Sequence, residues 1–165
     1  MNKIIKTHPN ATFKKNYPSD EGYDLTACTC KYHENGLWMV GLGIKVQPTE
    51  GYYFQIVPRS SFSKTPFILP GNVGIIDHEY RGEWLFPIRN ILYPPYWNDQ
   101  GVMIDEFCRI DNLKKDIKQA IKSKLLGKRI AQAIPHKIID LGEAEIVNKL
   151  SETERGKNGL GSSGK

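Results

Sequence analysis

The sequence contains few cysteines, and their number excludes the disulfide-rich framework of a small secreted protein. There are three, Cys28, Cys30 and Cys108. An odd count without paired zinc-type spacing predicts reduced thiols and therefore a cytoplasmic protein. Cys28 and Cys30 can also be interpreted as half of a metal site, but the sequence contains no second pair to complete it.

Long apolar runs and a large excess of one charge are also absent. No stretch approaches the roughly 20 apolar residues that a membrane-spanning helix needs, and the N-terminus lacks the apolar centre of a secretory signal. We therefore expect no membrane partner. The net charge of +5 is modest and suits anionic small molecules as well as nucleic acid. A chain of this length predicts a single domain over residues 1–165.

Helical periodicity is scarce, and strand patterns dominate the chain. Tyr23, Leu25 and Ala27 alternate with glycine or polar residues, which predicts a strand. Further strands are predicted at residues 4–7, 37–47, 51–58 and 127–139, and residues 142–151 are interpreted as a strand or a connection. Gly41 and Gly43 suggest a bulge or a close approach within their strand.

Residues 111–126 are predicted to form the one amphipathic helix. Their apolar residues recur at spacings of three and four, with lysines on the other faces: Leu113, Ile117, Ile121 and Leu125 form the stripe. Gly127 is predicted to follow the C-terminus of the helix. One interpretation packs the stripe on the chain's own barrel. The other makes the helix, with the aromatic residues 93–97 beside it, a docking element for a second protein.

Residues 71–84, GNVGIIDHEYRGEW, contain the main candidate site. A turn signal, a short apolar run, a polar reversal and a second apolar run predict a β-hairpin. Free backbone groups near its tip would meet a flat hydrogen-bonding ligand, with Asp77 beside that ligand and the Tyr80 ring as a wall. The alternative is a surface hairpin with a solvated acid, and His78 is interpreted as a solvated residue at the tip.

Three other segments carry chemistry. Residues 59–64, RSSFSK, combine two cations with three hydroxyls after a predicted strand, which suits a phosphate contact; a solvated turn is the alternative. Asp24 lies in mid-strand, where unpaired burial is costly, so it is expected to face a cation, a turn donor or a site. The glycine-rich residues 154–165 form either a mobile arm that cradles phosphates or a disordered tail.

Taken in order, five segments resemble the five ordered motifs of the trimeric dUTP nucleotidohydrolase (dUTPase) family: EGYDLTA, PRSSFSK, GNVGIIDHEYRGE, GKRIAQ and RGKNGLGSSG. They extend from residue 21 to residue 164. The resemblance implies an all-β jelly-roll subunit and a homotrimer with three shared active sites. It also implies hydrolysis of dUTP to dUMP and pyrophosphate, which limits dUTP and supplies the dTMP precursor, and it implies no nucleic-acid partner.

The resemblance also assigns roles to individual residues. It implies that Asp77 is the catalytic residue, which contacts the 3′-hydroxyl and orients the attacking water, and that Tyr80 stacks under the deoxyribose. Backbone groups of residues 74–77 would read the uracil edge. The substrate-binding residues that it implies are Arg59, Ser60, Ser61, Asn72, Gly74, Ile75, Ile76, Tyr80, Gln132, Arg155, Leu160, Gly161 and Ser162. Of these, the motif-two residues and Gln132 would bind phosphates, and the last four would belong to an arm from the third subunit.

Mg²⁺ is the cofactor that the resemblance implies. The triphosphate and water would hold it, without a direct protein ligand, because Mg²⁺ prefers phosphate oxygens and keeps several waters. Asp24 matches the acid of the first motif and is expected to order metal-bound water or the hydrogen bonds of the site. Triphosphate hydrolysis chiefly needs positioned water and neutralised charge, and Arg59 and Arg155 would neutralise charge.

The sequence departs from the family pattern at three places. Leu160 stands where the family usually has an aromatic residue that stacks on uracil, and Asn158 replaces a glycine. The connection from Arg59 to Asp77 is slightly short. Residues 91–126 form an insertion between the third and fourth motifs, and residues 152–165 form a flexible C-terminal arm. Because no residue of the insertion matches a motif, the insertion is expected to lie outside the chemistry.

Two alternative functions stay open. A dCTP deaminase shares this fold and would need a glutamate-based pocket that activates water; Glu79 and Glu83 are present, but the spacing of Asp77 and Tyr80 favours a dUTPase. A non-catalytic nucleotide-sensing regulatory protein on the same fold is compatible with Leu160 and with the basic insertion.

Overall fold

Most of the regular secondary structure consists of short strands, as the strand periodicity predicts. The computed structural model describes residues 1–34, 36–91, 96–97, 103–104, 111–140, 142–149 and 151–153. The elements are β1 (Lys3–Lys6), β2 (Tyr23–Thr26), β3 (Thr29–Tyr32), β4 (Trp38–Gly41), β5 (Ile44–Gln47), β6 (Tyr52–Pro58), a 3-10 turn (Ser60–Lys64), β7 (Phe67–Ile68), β8 (Gly74–Ile76), β9 (Leu85–Asn90), β10 (Tyr96–Trp97), β11 (Met103–Ile104), α1 (Asp111–Lys124) and β12 (Arg129–Lys137).

Two four-stranded sheets build the body of the fold. One has the order β2-β12-β6-β8 and the other has the order β3-β4-β9-β7, while β1 pairs with β5 and β10 pairs with β11. All of these pairings are antiparallel. The inward side chains of both large sheets belong to one buried cluster, as is usual where two sheets pack face to face. The all-β jelly-roll prediction is confirmed.

Aromatic residues occupy the centre of that cluster. Phe54 and Trp84 are fully buried, and their ring centroids lie 5.3 Å apart. Phe13 stacks on Tyr23 at 4.4 Å and meets Trp84 edge-on at 5.8 Å. Burial of each such side chain contributes roughly 1.5–3 kcal/mol to the free energy of unfolding. These contacts therefore hold the sheet that contains β2 and β6 against Trp84, the residue just before β9.

The predicted hairpin over residues 71–84 is wrong. β8 pairs with β6, whereas β9 pairs with β4 and β7, so the two strands belong to different sheets. Trp84 explains the difference, because its N–H donates to the Ile44 carbonyl and its own carbonyl accepts from the Leu42 N–H. The indole is buried between the sheets, and the chain therefore crosses from one sheet to the other after Ile76.

Residues 37–47 form two strands and not the single strand that we predicted. The break is at Gly43, whose φ of +66° is unfavourable for residues with a side chain. A Cβ at this position would also lie 2.7 Å from the His8 Cβ and 2.9 Å from the Cys28 Sγ. The chain turns here because only glycine fits, and β5 then leaves β4 to pair with β1.

Helix α1 packs on the chain's own core. Ile117, Ile121 and Leu125 are 1%, 2% and 0% exposed and belong to the main buried cluster, which confirms the first of the two interpretations for these residues; the Leu113 side chain lies outside the described residues. Gly127 has a φ of +76°, but α1 ends at Lys124 and the Gly127 N–H donates to the Ala27 carbonyl, so the prediction that Gly127 directly follows the helix is wrong. In the described ranges, no helix is long and apolar enough to cross a membrane.

Residues 142–149 contain no strand, so the interpretation of residues 142–151 as a strand is wrong for that part. The segment is extended and exposed, and Ile146 is fully accessible. No neighbouring strand of the same chain pairs with it, because β6 and β2 already occupy both edges of β12. The alternative interpretation as a connection holds for the described residues.

Candidate functional site

Asp24 is the buried centre of one half of the candidate site. Its side chain is 2% exposed, and Arg59 Nε lies 3.1 Å from Oδ1 while Arg129 NH1 lies 2.7 Å from Oδ2. Gln132 Nε2 is 3.5 Å from Oδ1. Two guanidinium groups offset the large desolvation cost of a buried carboxylate. The prediction that Asp24 faces a cation is confirmed, although the sequence pattern did not single out Arg129 as a partner.

Strand register brings these residues together. Gln132 on β12 lies directly opposite Asp24 on β2, and on its other side opposite Val57, two residues before Arg59. Gly22 is buried against Gln132, because a Cβ there would lie 3.1 Å from the Gln132 Cβ. The first, second and fourth predicted motifs thus meet at one corner of one sheet. A cavity of about 370 Å³ opens there, and Gly22, Asp24, Arg59 and Gln132 are among its lining residues.

The predicted phosphate-binding segment is a 3-10 turn with an apolar anchor. Phe62 is 4% exposed and meets the Phe86 ring edge-on at 5.4 Å. The Ser63 hydroxyl donates to the Ser60 carbonyl at 2.7 Å. Among the described residues, the exposed Ser60 and Ser61 hydroxyls have no such bond. A buried ring therefore holds a turn that presents two available hydroxyls, which distinguishes it from a loosely solvated turn.

Asp77 and Tyr80 lie in a different cavity. This cavity measures about 970 Å³, and its lining residues are Tyr53, Ile75, Asp77, His78, Glu79, Tyr80, Lys137, Ile138 and Ile139. β8 ends at Ile76 and pairs with β6 on one side only. The opposite backbone edge of β8 has no partner among the described strands, so its N–H and C=O groups are available to a ligand. The expectation of free backbone groups beside Asp77 is confirmed, although an edge strand supplies them and not a hairpin tip.

Hydrogen bonds within the turn after β8 brace Asp77 and Tyr80. The Tyr80 N–H donates to the Asp77 carbonyl at 3.1 Å, and the Tyr80 hydroxyl donates to the Glu83 carbonyl at 3.0 Å. Arg81 NH1 donates to the His78 carbonyl at 2.6 Å and to the Tyr80 carbonyl at 3.0 Å. The Tyr80 ring is therefore held in place by its own loop while 42% of the residue stays exposed.

His78 makes a long-range hydrogen bond that the sequence analysis missed. Its Nδ1 lies 2.9 Å from the Tyr52 carbonyl oxygen on β6. A carbonyl can only accept, so Nδ1 carries the proton in this arrangement. The bond ties the turn to the neighbouring strand one residue after Asp77. His78 is thus anchored, and the interpretation as a solvated hairpin-tip residue is wrong; no local sequence pattern marks its distant carbonyl partner.

We expect His78→Ala to lower kcat for the proposed reaction by about tenfold while the affinity for dUMP changes little. Loss of the anchor leaves Asp77 on a looser turn, and small misplacements of reacting groups are costly. His78→Asn is the control, because its amide nitrogen can replace Nδ1 as the donor. Steady-state kinetics and calorimetric dUMP binding make the test. Equal kcat for the wild type and His78→Ala would exclude a positioning role.

Asn72 lies apart from Asp77. Its φ is +65°, next to Gly71 at +96°, a conformation that asparagine tolerates better than most residues. Asn72 lines a third cavity of about 310 Å³ together with Arg59, Phe62 and Ser63. Within one chain it is therefore grouped with the phosphate-binding turn. Its predicted nucleotide contact stays a prediction.

The predicted site residues thus form two separate groups in one chain. Gly74, Ile75, Ile76, Asp77 and Tyr80 follow the free edge of β8, whereas Asp24, Arg59 and Gln132 line the cavity between β2, β12 and the end of β6. Arg155, Leu160, Gly161 and Ser162 lie outside the described residues.

Cys28 and Cys30 are half-buried free thiols whose pKa values are raised. Burial raises the pKa of Cys30 to about 11, and burial followed by the nearby Glu83 carboxylate raises the pKa of Cys28. The Cys28 thiol lies 3.5 Å from the Thr26 and Leu42 carbonyls. Both groups are protonated at neutral pH, whereas metals bind the thiolate. Among the described residues, no three His, Cys, Asp or Glu side chains form a cluster suited to a metal ion. Cys108 lies outside the described residues.

Comparison with known proteins identifies the family of this chain. The dUTPase family model matches residues 9–91. A deoxyuridine 5′-triphosphate nucleotidohydrolase of Yarrowia lipolytica is 33% identical over 87% of this chain and 75% of its own. One from Helicobacter pylori strain P12 is 31% identical over 98% of this chain and 95% of its own.

A solved structure with the same fold is the dUTPase of Staphylococcus bacteriophage 80alpha, a G164S mutant with dUpNHpp. It is 22% identical, covers 99% of this chain and 98% of its own, and has a TM-score of 0.67. The match to the family model and the identity to full-length relatives lead to one conclusion. This chain is a member of the dUTPase family.

Proposed function

We propose that the protein hydrolyses dUTP to dUMP and pyrophosphate, so that it limits dUTP and supplies the dTMP precursor. The observation that carries the proposal is the position of Asp77 and Tyr80 beside the free backbone edge of β8. Family membership supports the same reaction.

The nucleoside binds at β8. Backbone N–H and C=O groups of Gly74, Ile75 and Ile76 pair with the uracil edge, which carries donors and acceptors of its own. The exposed face of Tyr80, whose hydroxyl donates to the Glu83 carbonyl, stacks against the deoxyribose and, as the family resemblance implies, excludes a 2′-hydroxyl. Asp77 accepts a hydrogen bond from the 3′-hydroxyl. Leu160 covers the base from the C-terminal arm.

The triphosphate binds at the other group of residues. Arg59 donates from its guanidinium, Ser60 and Ser61 donate from the 3-10 turn, and Gln132 donates from β12. Arg155, Gly161 and Ser162 of the arm contribute charge and backbone N–H groups above it. The buried Asp24 holds the Arg59 guanidinium in place, and Arg129 offsets its remaining charge.

Mg²⁺ accompanies the triphosphate as the proposed cofactor. Both Asp24 oxygens already receive a guanidinium N–H, at 3.1 Å and 2.7 Å, which suits contact through water better than direct coordination. When bound, Mg²⁺ neutralises charge on the phosphate chain. Asp24 would orient its water shell, and no other residue is assigned to hold it.

Asp77 acts on the attacking water. Its carboxylate is exposed, and no described side chain bonds to it, so it can accept a proton. Water attacks the α-phosphorus, its proton passes to Asp77, and the bond between that phosphorus and the bridging oxygen breaks, which releases pyrophosphate. General-base assistance of this kind contributes about 10²–10⁴-fold. Arg59 and Arg155 stabilise the charge that develops on the phosphate oxygens.

A homotrimer completes the site. The two groups of residues lie in separate cavities of one chain, and the wall near Asp77 exposes apolar surface, with Ile75 52% and Ile139 72% accessible. The Asp77 group of one subunit faces the Arg59 group of a second, and the C-terminal arm comes from the third. Residues 1–165 form one domain, in which residues 91–126 are an insertion and residues 152–165 the arm.

Subunit mixing tests the shared site. We expect Asp77→Asn and Arg59→Gln homotrimers to be almost inactive, and a randomly mixed population to regain about a quarter of wild-type turnover, the statistical share of sites that receive both native residues in a closed symmetric ring. Light scattering should give three times the 18.8 kDa chain mass. A monomer at micromolar concentration, or no recovery of activity in mixed trimers, would contradict the assembly.

The reaction itself is tested by pyrophosphate release from dUTP, dCTP and dTTP. Rapid release from dUTP alone is the expected result. Ammonia release from dCTP would identify a deaminase. Tight dUTP binding with no product would identify a nucleotide-sensing regulatory protein.

A further inference from the structure

A fourth cavity lies where the C-terminal end of α1 meets the 3-10 turn. It measures about 240 Å³, and its lining includes four cations, two hydroxyls and no acidic side chain: Ser61, Phe62, Lys64, Thr65, Lys124, Lys128, Arg129 and Ile130. A concave site lined by charge of one sign attracts ions of the opposite sign. The lining therefore favours an anion.

Three donors in this cavity are available to a ligand. Among the described residues, the Lys64 and Lys124 ammonium groups and the Ser61 hydroxyl have no hydrogen-bond or ion-pair partner. The other cations are engaged, because Lys128 Nζ donates to the Ser123 carbonyl at 2.9 Å and Arg129 NH1 donates to Asp24 at 2.7 Å. Unpaired donors of one sign leave binding capacity that a phosphate group can use.

The segment that contributes Lys124, Lys128 and Arg129 to this cavity is strongly basic. Residues 111–129 contain seven basic and two acidic residues, and their net charge of +5 equals that of the full chain. The C-terminal end of a helix carries about half a negative charge, which opposes an anion. Lys128 already donates to the Ser123 carbonyl at this end of the helix. The positive charges of Lys64, Lys124 and Arg129 exceed the partial negative charge of the helix end.

We propose that this cavity is an anion site that adjoins the triphosphate site at Ser61 and that it binds pyrophosphate. The choice of occupant rests on the proposed function, since Ser61 belongs to the phosphate-binding turn beside which that product forms. A volume of about 240 Å³ is below the roughly 300–1,000 Å³ of pockets that hold drug-sized ligands. The small volume and the cationic lining suit a short phosphate chain with several negative charges.

This inference gives the insertion a chemical role. The sequence analysis placed residues 91–126 outside the chemistry because none of them matches a motif. Under this proposal Lys124, which lines one cavity together with Ser61 and Lys64, would bind the product without taking part in the hydrolysis itself. The lysine that ends α1 and the motif-two turn thus form one anion-binding surface, and pyrophosphate leaving the active site would pause on it.

Calorimetric titration of the intact protein with sodium pyrophosphate, without nucleotide, tests the proposal. We expect Lys124→Gln to weaken pyrophosphate binding about fivefold, the upper range for an exposed ion pair, and Lys124→Glu to weaken it more. Lys118→Gln and Lys118→Glu are matched controls, because Lys118 is exposed on the same helix and does not line the cavity. Both controls should bind pyrophosphate within twofold of the wild type.

Several results would overturn the proposal: no pyrophosphate binding by the wild type, equal loss in the Lys118 and Lys124 variants, or unchanged affinity in Lys124→Glu. Calorimetry with dUMP serves as a reference, since its affinity should not change in any of these variants. Failure here is distinguishable from failure of the proposed function, because wild-type dUTP hydrolysis is measured separately and needs no result from the Lys124 variants.

Discussion

Replacement of Asp77 with asparagine is expected to lower the turnover of dUTP by about 10²–10⁴-fold, the usual contribution of a positioned general base. The amide keeps the size of the carboxylate and can still accept a hydrogen bond from the ligand, but it cannot take a proton from water. Asp77 is exposed, and no described side chain bonds to it. The substitution should therefore leave the fold, the trimer and the affinity for dUMP unchanged.

Glu79→Gln is the matched control for this experiment. Glu79 lines the same cavity and is exposed, and its substitution removes the same charge. If only the position of Asp77 matters, Glu79→Gln should keep turnover within a few-fold of the wild type. Single-turnover kinetics with pyrophosphate detection measures the chemical step directly. A fast Asp77→Asn variant would require another base, and a slow Glu79→Gln variant would mean that loss of negative charge in the cavity, and not the position of Asp77, lowers turnover.

Replacement of Ile121 with alanine is expected to reduce the free energy of unfolding by about 2–5 kcal/mol, the range for deletion of a buried isoleucine side chain. Ile121 is 2% exposed and lies in the main core with Ile117 and Leu125. Its loss leaves a cavity between α1 and the sheets, since tightly packed surroundings relax only in part. Thermal unfolding at one fixed protein concentration is the measurement, because oligomers melt at concentration-dependent temperatures.

Lys118→Ala on the same helix controls for helix propensity and should change stability by less than about 0.5 kcal/mol, as is usual for an exposed residue. The same reasoning applies to a deletion of most of the insertion. Replacing residues 94–124 with a short turn would remove Ile117 and Ile121 from the core, so that variant should lose its fold. An Ile121→Ala protein as stable as the wild type would mean that the packing of α1 contributes little to the stability of the core.

The local pattern of residues was sufficient for most elements. Alternation predicted β2, β6 and β12, and spacings of three and four predicted α1 with its buried stripe, because each pattern records which side chains face the core. A mid-strand acid predicted an ionic partner for Asp24, since a buried carboxylate without one is too costly. The resemblance of residues 71–83 to the third family motif, and not a local pattern, pointed to the nucleotide site.

Pairing partners were not visible in those patterns. The hairpin prediction failed because two apolar runs around a polar turn are compatible with pairing to each other or to different sheets. Burial of the Trp84 side chain and the backbone hydrogen bonds of Trp84 with Leu42 and Ile44 select pairing to different sheets. His78 was missed for the same reason, since its partner is a backbone carbonyl 26 positions earlier in the chain.

The sequence by itself thus determined the strand-rich class, the buried face of α1, the family and the residue types of the site. The tertiary structure decided which strand lies beside which, how the site residues divide between two cavities, and that Lys124 shares a cavity with Ser61. The physical reason is that side-chain periodicity depends on neighbours within a few residues, whereas strand pairing and cavity formation depend on contacts between distant parts of the chain, which are selected by the packing of the whole core.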